Sequence, residues 1–395
     1  MIQPLRVTAY TVVSATGAGA EALSRALRDR RSGLRANDFT VVPLPTFIGR
    51  VQGVEQVVLP ERLVRWDCRN NRLAWLALQS DAFFERAVAA RDRYGADRVA
   101  LVLGTSTSSI GATEEAYQRL LPDGRYPEDL RRPIVHTPHS LGDFVRAALE
   151  LEGIAVTVGT ACSSSAKVFA QAERLVRLGL VDAAIVGGVD TLCGSVLFGF
   201  NSLELVSPEP CRPFDVARRG ISIGEAAGFA LLERDGEHGP WLLGYGESSD
   251  AHHMSSPHPE GLGARLAIEA ALAAAGLAPD AVDYINLHGT ASQKNDEVEA
   301  RVIADLFPAA TRASSTKGWT GHTLGAAGIV EAVITVLAME GGFTPGTLNA
   351  RDLDPACGPQ IRLENEVANV RVALSNSFGF GGSNCSLLFG RDRND

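Results

Sequence analysis

Short apolar runs alternate with helix-like stretches along the whole chain. Runs at 99–103, 154–158, 183–186 and 227–232 suit strands, and segments 22–30, 168–178, 264–275 and 329–339 suit helices. Strand runs with no polar face must be covered on both sides. The pattern therefore predicts an α/β fold with sheets sandwiched among helices. Forty glycines, with aromatics at 6%, suit tight strand–helix turns and helices packed closely through small residues. At 395 residues the chain has room for two domains or two packed halves.

The polar stretch ERDGEHGP at 233–240 is the best place for a join. On each side of it an apolar run enters a small-residue turn from which a helix opens: VTVGTACSSSAKVF in the first half, HTLGAAGIVEAVITVL in the second. That likeness hints at an internal duplication.

A formal net charge of −9 argues against a general nucleic-acid binder. The six cysteines (Cys68, Cys162, Cys193, Cys211, Cys357 and Cys385) include no C-x-x-C pair, and read as free thiols of a reducing compartment. The first residues lack the pattern of a signal peptide, and no run approaches the ~20 apolar residues of a membrane span. A cytoplasmic enzyme is the expectation.

Four segments carry candidate chemistry. In VTVGTACSSSAK, Cys162 stands between a strand end and a helix start. Unpaired N–H groups and the helix dipole there favour thiolate and predict a depressed thiol pKa. The same turn leaves a backbone N–H for an oxyanion. The plain alternative is a small buried hydrophobe. DYINLHGTASQKNDEVE places His288 after a strand and before carboxylates Asp296 and Glu299. SSTKGWTGHTLGAAG holds Lys317 and His322 in a glycine-studded loop. Either histidine could be structural, and Lys317 a surface residue. SNSFGFGGSN is glycine-rich but lacks a phosphate-loop or Rossmann spacing, so a tight turn is its simplest reading.

In this order, TACSSS, HGT, GHTLGAAG and NSFGFGG resemble the β-ketoacyl-ACP synthase family of thiolase-like condensing enzymes. RPFDVARRGISIGEAAG at 212–228 and SSDAHHMSSP at 248–257 extend the resemblance over nearly the whole chain. It implies two duplicated α/β halves in a layered αβαβα sandwich. Residues 1–235 would carry the nucleophile, and 241–395 the histidines, lysine and GFGG loop. It further implies that Cys162 accepts the acyl group while His288 and His322, as neutral imidazoles, stabilise the enolate left by malonyl decarboxylation. Lys317 would pair with Glu299 and orient His322, with Asp296 also supporting. Cys162 and Phe380 would supply oxyanion N–H groups, and the Phe380 ring a gate. No metal is expected, since the histidines lack helical i, i+4 spacing.

The substrates implied are thioesters on the phosphopantetheine of acyl carrier protein, without a separate cofactor. Arg62, Arg65, Arg69 and Arg72 recur at three- and four-residue steps, as on one helix face. Such a face can be merely solvated; the family context makes Arg62, Arg65 and Arg69 carrier-docking candidates. CGSVLFGFNSLELV at 193–206 resembles the acyl-tunnel and dimer segment, with Phe198 and Phe200 as candidate limits on chain length. The family implies a homodimer, or a heterodimer with a chain-length factor. HGTASQKND departs from the common family pattern at Gln293 and Asn295 and leans toward polyketide or aryl-polyene subgroups; GEAAG is a further departure. Alternatives are a chain-length-factor subunit, which would lack the cysteine, a thiolase acting on acyl-CoA, and a cysteine hydrolase.

Overall fold

The computed structural model describes residues 2–393. Its main sheet is built on ten strands: β1 (Leu5–Ser14), β2 (Val99–Gly104), β3 (Ala155–Val158), β4 (Ala183–Asp190), β5 (Ala226–Glu233), β6 (Trp241–Ser249), β7 (Tyr284–Asn286), β8 (Arg312–Ser314), β9 (Val372–Gly379) and β10 (Ser383–Gly390). They lie in the order β8-β7-β9-β10-β6-β1-β5-β4-β2-β3. Only two residue pairs, Leu5 with Leu242 and Arg6 with Trp241, join β1 to β6 among the described residues. The sheet is thus two five-stranded halves touching at one seam.

Renumbered from its own first strand, each half has the order 3-2-4-5-1. In both, strand 2 runs parallel to strands 3 and 4, while strand 5 is antiparallel to strands 4 and 1. The duplication hinted at by the two turn-and-helix segments is therefore present in the topology.

Side chains alternate across each strand, and both faces find a core. Ala100 and Val102 of β2 enter an inner core with Val168, Phe169, Ile329 and Val333. Leu101 and Leu103 of the same strand enter an outer core with Leu73, Phe83 and Phe144. Those come from the outer helices Arg69–Leu78, Phe83–Tyr94 and Ser140–Leu149. In the second half Ile285 and Leu374 pack outward against Ile268 and Ile303, from helices Leu262–Ala275 and Gln293–Leu306. The result is five layers, helix–sheet–helix–sheet–helix.

The middle layer holds α1 (Ser164–Arg177) and α2 (Ala327–Gly341). Gly328 lets them touch: a Cβ there would lie 2.8 Å from Ala166 Cβ and 2.9 Å from its Cα. Residues 327–339 are all buried, which explains why α2 shows no polar stripe. The expectation that no run approaches a membrane span needs correcting. Leu324–Gly341 is 18 residues long with mean hydropathy 1.6, yet 89% of it is buried between the sheets. Its apolarity serves the core.

Candidate active site

Both central helices begin with the same device. A 3-10 turn, Ala161–Ser163 before α1 and Leu324–Ala326 before α2, opens on a non-glycine residue of positive φ, 51° at Ala161 and 57° at Leu324. These αL residues turn the chain sharply from a strand or loop into the helix. Serine hydroxyls hold the first turn: Thr160 N–H donates to Ser164 Oγ (2.9 Å), and Ser164 Oγ–H to the Ala161 carbonyl (2.6 Å). Ser165 Oγ accepts Ile329 N–H at 2.9 Å, tying one helix start to the other. The serines after Cys162 thus hold the turn that presents the thiol.

Cys162 is 5% exposed at this turn. Burial pushes its thiol up to about 11, with Lys317 and the Phe380 N–H pulling against it. The expected depressed pKa is therefore overturned. Losing the hydration of the anion outweighs the nearby positive charge and donor, so the resting group is a thiol. The Phe380 N–H nevertheless faces the sulfur, as an oxyanion donor should.

His322 lies in the matching loop of the other half. Its N–H donates to the Ser222 carbonyl at 2.7 Å, and Nε2 stands 3.0 Å from Cys162 Sγ. Leu324 N–H donates to Nδ1 at 3.3 Å, so the ring proton sits on Nε2, toward the sulfur. His288 follows β7. Glu299 accepts its N–H at 2.9 Å and that of Gly289 at 2.8 Å. The imidazoles lie 5.4 Å apart at 86°, and one donor atom each from Cys162, His288 and His322 falls within 4.8 Å of the others. Burial, and then Lys317, holds both histidines well below their ordinary pKa. Both are neutral donors.

Three such atoms could in principle hold a metal ion. The fit is poor: the Leu324 N–H occupies the His322 Nδ1 lone pair and leaves the proton on the inward Nε2, and the Lys317 ammonium stands 3.5 Å from His288 Nδ1. A cation would meet a proton and a positive charge.

Lys317 departs from expectation in both its partners. It is buried against Glu331 of α2 and donates to the His288 carbonyl; Glu299 is not its partner, and its ammonium lies at His288. Glu331 was missed from sequence. It is the one carboxylate inside the run GIVEAVITVL, and an acid in a wholly buried helix needs a cation. Burial raises Glu331 to about 7, with Lys317 pulling it down. Burial also raises Glu299 to about 7 and raises Asp296. Asp296 accepts N–H groups of Phe214 (2.8 Å) and Thr290 (2.9 Å), and of Ala291. The two supporting carboxylates thus shape the His288 loop through its backbone. Phe378, 6.0 Å from His288, and Leu324, which acts through an N–H, carried no sequence signal.

The Phe380 ring lies 5.5 Å from Phe200, and Gly381 N–H donates to Met254 O at 2.7 Å, linking the GFGG loop to the loop around 254. Phe198 is 36% exposed and does not join that pair. The four arginines do not share one helix face. Arg62 and Arg65 lie on the 3-10 helix Glu61–Trp66, and Arg69 and Arg72 on the following α-helix. Arg69 is bound to buried Glu225 (2.9 and 2.5 Å) and to Glu55, and Arg72 to Asp67. Arg69 is removed as a docking residue because its charge is spent inside the fold. Arg62 and Arg65 remain exposed, the first on carbonyls of Ala147 and Ala148, the second over the Trp66 ring at 3.9 Å.

A cavity of about 550 Å³ leads from the surface to Cys162, His288 and His322, lined on the way by Thr290, Ser292 and Phe380. Two family models match the chain: "Beta-ketoacyl synthase, N-terminal domain" over residues 69–238 and "Beta-ketoacyl synthase, C-terminal domain" over 241–351. The mitochondrial 3-oxoacyl-[acyl-carrier-protein] synthase of Arabidopsis thaliana is 41% identical over 58% of this chain, which spans 55% of that protein. The 3-oxoacyl-[acyl-carrier-protein] synthase 2 of Mycobacterium tuberculosis (strain ATCC 25618 / H37Rv) is 31% identical over 98% of this chain and 96% of its own. A chain from the structure of the ketosynthase ApeO in complex with its chain length factor ApeC, from Xenorhabdus doucetiae, superposes with a TM-score of 0.91. It is 36% identical, over 99% of this chain and 98% of that one.

Proposed function

The chain belongs to the β-ketoacyl synthase family of condensing enzymes, and we propose that it joins an acyl group to a malonyl unit on acyl carrier protein through Cys162, His288 and His322. Cys162 Sγ attacks an acyl thioester; the new S–C bond forms as the carrier's C–S bond breaks, and the thiol proton leaves on the departing carrier thiol. The Phe380 N–H, and the N–H of Cys162 itself, receive the transient oxyanion. Malonyl-carrier then enters. Its carboxylate leaves as carbon dioxide, and the electron pair passes to an enolate whose oxygen meets the Nε2–H groups of His288 and His322. The enolate carbon attacks the Cys162 thioester, giving 3-oxoacyl-carrier, and the freed sulfur regains a proton from solvent.

One observation carries this reading: two imidazoles that burial and Lys317 keep neutral, held within 4.8 Å of a buried cysteine. A protonated imidazole would quench the enolate; a neutral one stabilises it. The presence of Cys162 in this geometry disfavours the chain-length-factor reading. The chain acts in the cytoplasm, to which its six unpaired cysteines are suited. It works as a dimer with a second copy; exposed Ile110, Tyr117 and Ile134 offer apolar surface for that contact. Mass measurement with and without a chain-length-factor partner separates homodimer from heterodimer. The pathway leans toward specialised polyene or polyketide products through Gln293 and Asn295.

The reaction is tested by supplying acyl-carrier and malonyl-carrier and measuring carbon dioxide and 3-oxoacyl-carrier together. Wild type should form both and Cys162→Ala no condensation product. Thioester hydrolysis without condensation would replace this reading with a hydrolase.

A further inference from the structure

The hydroxyl-rich run TSTSS at 105–109, just after β2, takes no part in the chemistry above. Three of its residues close around Asp190, the last residue of β4, which is fully buried. Asp190 Oδ1 accepts Thr105 Oγ1–H (2.6 Å), Thr107 Oγ1–H (2.7 Å) and Thr107 N–H (2.9 Å). Its Oδ2 accepts Ser106 N–H (2.9 Å), Ser106 Oγ–H (2.7 Å) and, from the other half of the chain, Gly325 N–H (2.6 Å). Among the described residues its donors are all neutral. A carboxylate stripped of water and given no cation depends on every such donor, so it fixes the segments that supply them.

Gly325 links this cluster to the active site. It lies in the turn Leu324–Ala326 that follows His322. A Cβ at Gly325 would stand 2.6 Å from Ser106 N and 2.7 Å from Asp190 Oδ2, so only glycine permits the approach. The residue before it, Leu324, holds a φ of 57° and gives its N–H to His322 Nδ1 at 3.3 Å, long for such a bond. Neither the αL leucine nor the long bond sustains itself. The short, charge-assisted bond from Gly325 to Asp190 holds the turn on which both depend. The backbone of His322 is fixed separately, by the Ser222 carbonyl (2.7 Å) and the Gly224 N–H (2.9 Å). Loosening the turn therefore leaves the histidine in place and changes what its Nδ1 meets.

We propose that Asp190 is a positioning residue for His322: by holding Gly325 N–H it keeps Leu324 N–H on Nδ1 and the ring proton on Nε2. That is the nitrogen from which the enolate oxygen takes its hydrogen bond, so the role rests on the reaction proposed above. Asp190 itself lies outside the lining of the catalytic cavity and acts only through the turn.

Nitrogen-15 NMR of histidine-labelled protein reads the tautomer without turnover, the His322 signals being identified by their loss in His322→Ala. Wild type should carry the proton on Nε2. Asp190→Asn keeps the shape and removes the charge, and should shift His322 toward the Nδ1–H form. It should lower malonyl decarboxylation at saturating malonyl-carrier about tenfold, the step from a charge-assisted bond to a neutral one, while KM and Cys162 acylation change less than about twofold. Thr107→Val loosens the same cluster on the side away from Gly325 and should leave both the tautomer and decarboxylation as in wild type. An Asp190→Asn protein with the wild-type His322 signature, a wild-type Nε2 without its proton, or equal effects of Asp190→Asn and Thr107→Val would overturn the assignment. If Asp190→Asn does not fold, Ser106→Ala decides: it removes one donor from Oδ2 and the second acceptor of Gly325 N–H (3.3 Å), and should move the tautomer the same way by less. An unmoved tautomer there would overturn the assignment as well. A protein whose tautomer answers to Asp190 yet forms no 3-oxoacyl product keeps the positioning role and loses the proposed reaction. Condensation with an unmoved tautomer does the reverse.

Discussion

Gly104 ends β2 directly under the first turn of α1, and Gly104→Ala should disable the enzyme without unfolding it. Alanine's added Cβ would stand 2.5 Å from the Ser164 carbonyl carbon and 2.6 Å from Ser165 Cα. Ordinary contact begins near 3.4 Å, and the obstructing atoms are backbone, which cannot rotate away. The start of α1 must therefore move by about 1 Å relative to β2. Gly188 of β4 already packs its backbone against the same turn, so closely that a Cβ built there would lie 2.5 Å from Ser165 Cβ, which leaves little room for the turn to shift on that side. Overpacking of this kind costs about 1–3 kcal/mol, whereas a 1 Å displacement of a reacting group costs about 100-fold in rate. Acylation of Cys162 by an acyl thioester, followed by intact-protein mass spectrometry, should slow by that order while far-UV dichroism is unchanged. A Gly104→Ala enzyme acylated within a few-fold of the wild-type rate would show that the strand does not position the nucleophile.

Four further outcomes follow from the site. Because burial holds the Cys162 thiol near 11, alkylation by iodoacetamide should accelerate with each rise in pH through the neutral range; a plateau beginning below pH 8 would contradict a protonated resting thiol. His322→Ala should still acylate Cys162 but lose about 100-fold or more in malonyl decarboxylation, as one donor to the enolate is gone; equal loss in both half-reactions would refute the division of roles. Lys317→Met leaves Glu331 buried alone and should cost about 3–5 kcal/mol in urea unfolding at pH 8. Lys317 pulls Glu331 down to about 7, so without it the carboxyl titrates higher still and the variant loses extra stability as pH rises above 7; the penalty should therefore shrink at pH 6, where the carboxyl is neutral, and Lys317→Met/Glu331→Gln should recover part of it. Arg62→Glu/Arg65→Glu should raise KM for acyl-carrier and spare kcat, while Arg69→Ala should lower stability instead, because Arg69 neutralises buried Glu225; the reverse pattern would restore Arg69 to the docking surface.

Much of the site was legible because its parts are local. Cys162, His288 and His322 each sit where a strand or loop meets a tight turn, and such turns need small residues whatever their neighbours. The layered α/β fold was equally legible, since β2 and β4 have no polar face. What stayed hidden depends on approach between distant segments. Sequence spacing put Arg69 on a face with Arg62, but Asp67 and Cys68, both extended, break the helix in two, and Glu225, 156 residues away, takes the charge. The family resemblance paired Lys317 with Glu299, whereas α2 brings Glu331 to it in the buried middle layer.

The amino-acid sequence by itself determined which groups could react and which elements carry them, because turn chemistry and hydrophobic period are properties of short segments. Only the tertiary structure decided their protonation and partners. Cys162 is a thiol and the histidines are neutral because packing of two sheets around α1 and α2 strips water from all three. Desolvation is a property of the assembled core, and no local run of residues encodes it.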